Sequence, residues 1–177
     1  MGRDKALLAW EETDLLGHTL ARLRAACPHV RILSGSERRY ADRGVPVVLD
    51  RAKDAGSLAG VVAGLETTHG PGLFLGLDLP FVPAPLLVKL VALAEGADAV
   101  VPVSPRGPEP LCAVYGPACL LPARRCLAEG RLKMTAFWPE VLVRRVEAAD
   151  LAPFGDPGHL FRNLNSPDDY QAARRLQ

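Results

Sequence analysis

The chain has 177 residues, 49% of them hydrophobic, so we expect one domain with a full core, spanning residues 1–177. Its 21 basic and 20 acidic residues leave a net charge of +1, which gives no overall field for recruiting nucleic acid or an anionic membrane. The longest apolar region, residues 73–94, is interrupted by Asp78, three prolines and Lys89, which argues against a membrane-spanning helix.

The four cysteines form no C-x-x-C pair and lie within apolar or helical patterns; they are Cys27, Cys112, Cys119 and Cys126. This pattern favours buried free thiols over a metal or disulfide role. The first residues do not fit a signal peptide, because only five apolar residues separate Lys5 from two glutamates. We therefore predict a cytoplasmic protein.

Hydrophobic periodicity predicts strands and helices that alternate through the first half of the chain. The predicted strands cover residues 30–34, 45–50, 72–78, 97–103, 111–115 and 141–146. The predicted helices cover residues 15–26, 58–65, 83–95, 117–129 (interrupted or kinked at Pro122) and 134–138, with a last one from Pro167. This alternation predicts an α/β fold, a three-layer, doubly wound and mostly parallel sheet with helices on both faces.

The stretch Gly72–Phe81 is the best candidate for chemistry. An apolar run ends in Asp78, and Pro80 prevents further pairing because it has no N–H to donate. Asp78 is thus predicted at the carboxyl end of a central parallel strand, where open α/β sheets bind ligands. A turn-forming aspartate that caps the next helix explains the same pattern equally well.

Two further segments place polar groups near predicted strand ends. Asp50 ends the second strand, and the small residues 54–60 could let backbone N–H groups approach an anion. A helix cap at Ser57 with tight packing at Gly60 and Gly64 is an equal alternative for that loop.

The last helix is predicted from Ser166, which would cap it, and Pro167, which suits the first helical position. The cap does not explain why Asn163 and Asn165 flank a leucine just before it. None of the four histidines lies beside a triad or metal-binding pattern, and His159 alone falls in a plausible site loop.

Five segments, taken in order, resemble the molybdenum cofactor guanylyltransferases, MobA-like enzymes with the nucleotide-diphospho-sugar transferase fold. The segments are Met1–Leu8, residues 48–60, Gly76–Phe81, Glu109–Tyr115 and Asn163–Asp169. They span nearly the whole chain. The small-residue loop 54–60 is a weak motif by itself. The resemblance rests on five segments that occur in the family's order.

The resemblance implies transfer of GMP from GTP to molybdopterin, with Mg²⁺ as cofactor and pyrophosphate as the leaving group. Lys5 would contact the GTP phosphates, Asp50 the guanine or ribose, and Asp78 the Mg²⁺ ion. Asn163 and Asn165 would lie on the pterin side of the cleft. Lys5 and Asp78 would be the catalytic residues. Molybdoenzyme chaperones are possible partners.

The resemblance also implies a strand and a Leu-Ala-Gly-Gly loop directly before the segment that here begins at Met1. Without that strand the sheet would have unpaired edges, and without the loop the β- and γ-phosphates would lose N–H donors. We therefore expect residues 1–177 alone to lack full activity.

Three alternatives remain open from the sequence. Two are enzymes: a molybdenum cofactor cytidylyltransferase and a sugar-phosphate nucleotidyltransferase. The third is a binding module with the same sheet and no turnover. Lys5, Asp50 and Asp78 occurring together favour an enzyme.

Overall fold

The computed structural model describes residues 4–50, 52 and 55–175. The strands are β1 Ala9–Trp10, β2 Thr13–Asp14, β3 Ile32–Leu33, β4 Val47–Val48, β5 Gly72–Leu75, β6 Ala99–Ser104, β7 Gly107–Pro108, β8 Cys112–Tyr115 and β9 Val143–Val146. The α-helices are α1 Leu15–Ala26, α2 Gly56–Glu66, α3 Ala84–Ala92, α4 Leu120–Ala128, α5 Ala148–Leu151, α6 Pro157–Leu160 and α7 Pro167–Arg174. Short 3₁₀ helices include Lys5–Leu7, Ala41–Arg43, Pro117–Cys119 and Trp138–Glu140.

The main sheet is mixed and has five strands. β8 pairs antiparallel with both β5 and β6, while β9 pairs parallel with β6 and β7 forms a short antiparallel extension. β5, β6 and β9 therefore share one direction, with β8 running against them. β3 and β4 form a separate parallel pair, and β1 and β2 form a hairpin.

Helices cover both faces of this sheet, as the alternating pattern predicts. Within β6, Ala99 and Val101 pack into a core shared with α2 and α4. Val100, between them, packs on the opposite face with α3 and α5. Because successive side chains of a strand point to opposite faces, one strand contributes to two cores. The predicted three-layer α/β fold is confirmed.

The position of β5 differs from the prediction of a central strand. β5 pairs only with β8 among the described residues, and this pairing is antiparallel, so β5 lies at an edge of the main sheet and is not the central parallel strand that was predicted. Its four residues are half-buried, whereas the four residues of β8 are fully buried. The other edge of β5 faces a groove of about 1070 Å³ that extends to β3. This edge position could not be predicted locally, because nothing in the sequence of β5 itself shows which strand lies beside it.

Helix α2 spans both sides of this groove. A Cβ atom on Gly64 of α2 would lie 2.6 Å from the ring of Phe74 in β5 and 3.4 Å from Leu33 in β3. Gly64 therefore allows close packing, as one of the two explanations of its segment proposed. Ser57 does not cap α2, because the helix already begins at Gly56 and Ala55 holds the cap position.

Two other predicted helices differ in detail. Pro122 does not kink α4, because it is the third helical residue and first-turn N–H groups need no helical partner. Within the predicted helix 134–138, residues 134–137 form turns that lead into the 3₁₀ helix Trp138–Glu140. Pro139 explains this, since a proline disfavours α-helical geometry in the residue before it.

The two ends of the chain pack on each other. Trp10 of the β1–β2 hairpin shares a small core with Leu164 and Ala173, and its ring centroid lies 6.3 Å from that of Tyr170 in α7. The Tyr170 hydroxyl donates to the carbonyl of Ala9. The segment around Asp78 is enclosed by this contact, because Leu77 and Phe81 pack against the same core.

All four cysteines are free thiols, as predicted. Three are buried and Cys27 is half-buried. Across the described ranges, every helix is too short or too polar to cross a bilayer.

Candidate functional site

Asp78 lies in a tight turn just beyond β5. Gly76 N–H donates to the carbonyl of Leu111 at 2.6 Å, and Leu79 N–H donates back to the carbonyl of Gly76 at 3.2 Å, which closes the turn. The Asp78 carbonyl accepts a hydrogen bond from Leu164 N–H at 3.0 Å. The backbone of Asp78 is thus fixed from both sides at the carboxyl end of β5, as the sequence predicts.

Gly76 makes room for the carboxylate of Asp78. A Cβ atom at position 76 would lie 2.5 Å from Asp78 Oδ1 and 3.3 Å from Cβ of Leu111. The side chain of Asp78 therefore folds back over the α-carbon of Gly76. Only glycine permits this orientation without a shift of the carboxylate.

Gly76→Ala is expected to reduce turnover by about 10–100-fold, the usual cost of disturbing a group that orients a metal ligand. The carboxylate must rotate, but it is the end of a flexible side chain, so Tm should change by only a few degrees. Gly70→Ala is the matched control, because no atom lies within 4 Å of a Cβ there. Kinetics and thermal denaturation of both variants give the answer, and full activity in Gly76→Ala would contradict the expectation.

Lys5 lies in the 3₁₀ turn that opens the described chain. Asp4 caps this turn by accepting from Ala6 N–H at 3.1 Å, and the Tyr40 hydroxyl donates to the same carboxylate at 2.8 Å. Burial lowers the pKa of Lys5, and the charges of Asp78 and Asp169 act on that pKa in the opposite direction. The structure therefore brings Lys5 and Asp78 into one electrostatic environment, although they are distant in sequence.

The leucine between the two asparagines anchors their segment. Leu164 is 1% exposed and packs with Trp10 and Leu15 in the core at the chain ends. Asn163 is half-buried beside it, and Asn165 is exposed. The pattern Asn-Leu-Asn thus places one apolar side chain inward, with the Asn163 amide on the cavity beside Asp78 and the Asn165 side chain exposed.

The start of α7 fixes this segment by a complete capping box. Asp169 Oδ2 accepts from Ser166 N–H at 2.8 Å and from Asn165 N–H at 3.1 Å, while Ser166 Oγ accepts from Asp169 N–H at 3.1 Å. The hydrogen bonds from Ser166 hold the pKa of Asp169 below its usual range. The predicted cap by Ser166 is confirmed.

A small cavity of about 200 Å³ lies beside Asp78, lined also by Glu109 and Asn163. Asn163 Oδ1 is buried, and no hydrogen-bond partner for it exists among the residues described. Buried polar atoms are nearly always paired, so this oxygen indicates a missing ligand or water. Sequence reasoning did not select Glu109 as a site residue, although Glu109 begins one of the five segments that carry the resemblance.

These three side chains fit a hard divalent cation. Carboxylate and amide oxygens are what Mg²⁺ prefers, and it keeps several waters or phosphate oxygens as further ligands. No group of three or more His, Cys, Asp or Glu suitable for a metal occurs within the described ranges. A cation held by Asp78 would therefore rely on substrate oxygens as well as protein ones.

The large groove connects Asp78 with Asp50. Both line it, together with Gly35, Gly56 and Ser57, while its inner walls are apolar side chains of α1, β3 and β5. Asp50 follows β4, and its N–H donates to the carbonyl of Gly35 at 3.0 Å. Asp54 begins the loop 54–60 whose N–H groups were predicted to approach an anion, and it lies outside the described residues. Of the predicted site residues, Asp50 and Asp78 thus border this groove and Asp78 and Asn163 border the small cavity, whereas Lys5 and Asn165 line neither of the two.

Three comparisons relate the chain to known proteins. Residues 1–142 match the family described as MobA-like NTP transferase domain. A probable molybdenum cofactor guanylyltransferase from Pelotomaculum thermopropionicum is 30% identical over 175 residues, covering 98% of this chain and 85% of that protein.

Solved structures agree with this relationship. Molybdopterin-guanine dinucleotide biosynthesis protein A from Archaeoglobus fulgidus superposes with a TM-score of 0.83 at 24% identity, covering 99% of this chain and 91% of that one. Rv0371c from Mycobacterium tuberculosis, solved as a complex with manganese, gives a TM-score of 0.64 at 21% identity, with 97% and 91% covered. The fold is therefore that of the nucleotide-diphospho-sugar transferases. The chain belongs to the MobA-like NTP transferase domain family and is a nucleotidyltransferase.

Proposed function

We propose that this protein transfers GMP from GTP to molybdopterin, forming the guanine dinucleotide cofactor and releasing pyrophosphate. The observation that carries the proposal is the convergence of Lys5, Asp78 and Asn163 at the strand ends, with Asp50 on the same groove. The names of the relatives support the same donor and acceptor.

The chemistry needs charge neutralisation more than a base. The attacking group is a phosphate monoester whose second pKa is about 6, so at neutral pH it is largely ionised without help. Its target is the α-phosphorus of another polyanion. The ammonium of Lys5 would offset negative charge on the phosphates and on the departing pyrophosphate.

A divalent cation completes this arrangement. Asp78 would hold it, with Asn163 Oδ1 and Glu109 beside it in the small cavity. When bound at Asp78, Mg²⁺ would supply positive charge that stabilises the negative charge developing on the leaving group. The manganese complex of the mycobacterial neighbour supports a divalent cation on this fold. We propose Mg²⁺ as the resident ion.

The two substrates would occupy different parts of the site. Asp50 would contact the guanine or ribose of GTP, because it borders the groove on the side of β4 and α2. Asn163 and Asn165 would contact the pterin of the acceptor from the segment before α7. Free thiols suit a cytoplasmic location. Delivery of the product to molybdoenzyme chaperones stays a prediction of the resemblance.

Calorimetry with Mg²⁺ and GTP, CTP or ATP, followed by a transfer assay with molybdopterin, tests the proposal. We expect selective GTP binding and formation of the guanine dinucleotide cofactor. Preference for CTP would favour the cytidylyltransferase alternative. Transfer to a sugar phosphate would favour the sugar-phosphate nucleotidyltransferase. GTP binding without any transfer would favour the binding module.

Lys5 gives a pH-dependent prediction. Because burial lowers the pKa of Lys5, its ammonium loses its proton below the ordinary lysine value of about 10.4. GTP affinity should therefore fall as the pH rises through this lowered pKa, by about 10-fold or more. Lys5→Arg keeps its charge and should move the alkaline fall to higher pH. Calorimetric titrations between neutral and alkaline pH measure this, and identical profiles for both proteins would contradict it.

A further inference from the structure

The loop that follows Asp78 is held by a buried arginine of α1. The two N–H groups on Nη1 of Arg22 are shared among three backbone carbonyl oxygens of this loop, those of Leu79, Pro80 and Val82, at N···O distances of 2.9, 2.9 and 2.7 Å. Arg22 is only 8% exposed. Three carbonyls therefore converge on one buried cation directly after the candidate metal ligand.

The other donors of Arg22 stay on its own helix. Nη2 donates to Thr19 Oγ1 at 3.2 Å, and Nε donates to the carbonyl of His18 at 3.4 Å. All of these acceptors are carbonyl or hydroxyl oxygens; among the described residues, none that hydrogen-bonds the guanidinium is a carboxylate. Burial lowers the pKa of Arg22 to about 10, so the group is charged at neutral pH. The positive charge of Arg22 is therefore stabilised by the carbonyl oxygens of the loop.

The loop requires a cation because its carbonyl groups no longer pair with the N–H groups of a neighbouring strand. β5 ends at Leu75, and Pro80 has no N–H, so residues 79–82 cannot continue as a paired strand. Buried carbonyls without donors are costly, and carbonyl dipoles that point at one centre repel unless positive charge lies there. The ring Nε2 of His18 adds a fourth contact, 3.0 Å from the carbonyl of Pro80.

We propose that Arg22 is a positioning residue for the transfer reaction: by binding these carbonyls it holds the Asp78 turn in the geometry that a divalent cation and GTP require. The turn is then fixed from α1 by Arg22 and from the α7 side by the bond between Leu164 N–H and the carbonyl of Asp78. This inference rests on the proposed function, since it assigns Arg22 a role in that same site.

Arg22→Met removes the charge and keeps an unbranched side chain. It is expected to weaken Mn²⁺ binding in the presence of GTP, measured by electron paramagnetic resonance, by about 10–100-fold, with a similar loss of turnover. Arg22→Lys should recover most of both, because an ammonium has three donors for the three carbonyls. Arg43→Met is the matched control. It breaks the 2.6 Å ion pair with Asp14 at the start of α1 without touching the loop.

The outcomes separate the inference from the proposed function. Absence of Mn²⁺ and GTP binding by the parent protein would remove the proposed function itself. With an active parent, a folded Arg22→Met protein of unchanged Mn²⁺ affinity overturns the positioning role. An equal loss in Arg43→Met at equal Tm also overturns it, because general destabilisation would then suffice. If Arg22→Met does not fold, Arg22→Gln replaces it, with an expected loss at the lower end of that range, about 10-fold, because its amide keeps N–H donors but lacks the charge; unchanged affinity there counts against the role equally.

Discussion

Asp78→Ala is expected to reduce turnover by at least about a thousandfold, because it removes the carboxylate that would hold the divalent cation. A loss of that size corresponds to about 4 kcal/mol of transition-state stabilisation. The fold should persist, since Asp78 is half-buried and the hydrogen bond from Leu164 uses its backbone carbonyl. Initial rates over a range of Mg²⁺ concentrations, with Tm measured in parallel, check both parts.

Asp98→Ala provides a matched control for that experiment. Asp98 precedes β6, and its carboxylate accepts from Leu142 N–H at 2.8 Å, so its loss affects packing away from the site. We expect lower Tm and unchanged catalysis. If instead Asp78→Ala retained the parent rate and its metal dependence, Asp78 would have no part in the mechanism.

The second large effect is expected from filling the groove between β3 and β5. A designed amino-terminal extension, consisting of an apolar strand followed by a Leu-Ala-Gly-Gly loop, could lie in this groove and pair with both facing strand edges. Each buried apolar side chain contributes about 1.5–3 kcal/mol, against about 1.5 kcal/mol for ordering each residue. A net gain of about 3 kcal/mol would raise Tm by roughly 10 °C in a domain of this size.

The extension should also increase GTP affinity, because its loop would add N–H donors for the phosphates. Differential scanning calorimetry and GTP titration compare residues 1–177 with the extended chain. An extension of equal length made of glycine and serine is the control. Equal Tm and equal GTP affinity in all three proteins would show that the groove does not take a strand.

Local signals allowed the most accurate predictions. Helix α1 covers Leu15–Ala26 as predicted, because Asp14 caps it through Gly17 N–H and Pro28 follows its end. The start of α7 is equally local. Both depend on residues a few positions apart, so the sequence alone contains the necessary information.

The remaining features depend on partners far away in the chain. β5 lies at an edge because β8, about 40 residues later, is its one partner among the described residues, and no pattern within β5 reveals this. In the sequence Arg22 looks like an ordinary arginine of a helix. The loop carbonyls that accept its hydrogen bonds lie 57–60 residues later in the chain. Glu109 likewise joins Asp78 only through the fold. Residues with a recognisable motif could be selected from sequence, and residues that support them could not.

Because the two ends of the described chain pack on each other, we expect the site to form late during folding. The bond from the Tyr170 hydroxyl to the carbonyl of Ala9 closes a loop of 161 residues, whereas β6 and β8 pair over a short connection. Contacts of long sequence separation carry the larger closure entropy and tend to form late. The sheet can therefore be largely complete before Lys5 and Asn163 reach Asp78. Proteolytic removal of α7 is expected to leave most of the core intact while removing the Asp169 carboxylate that holds the backbone of Asn165 and Ser166.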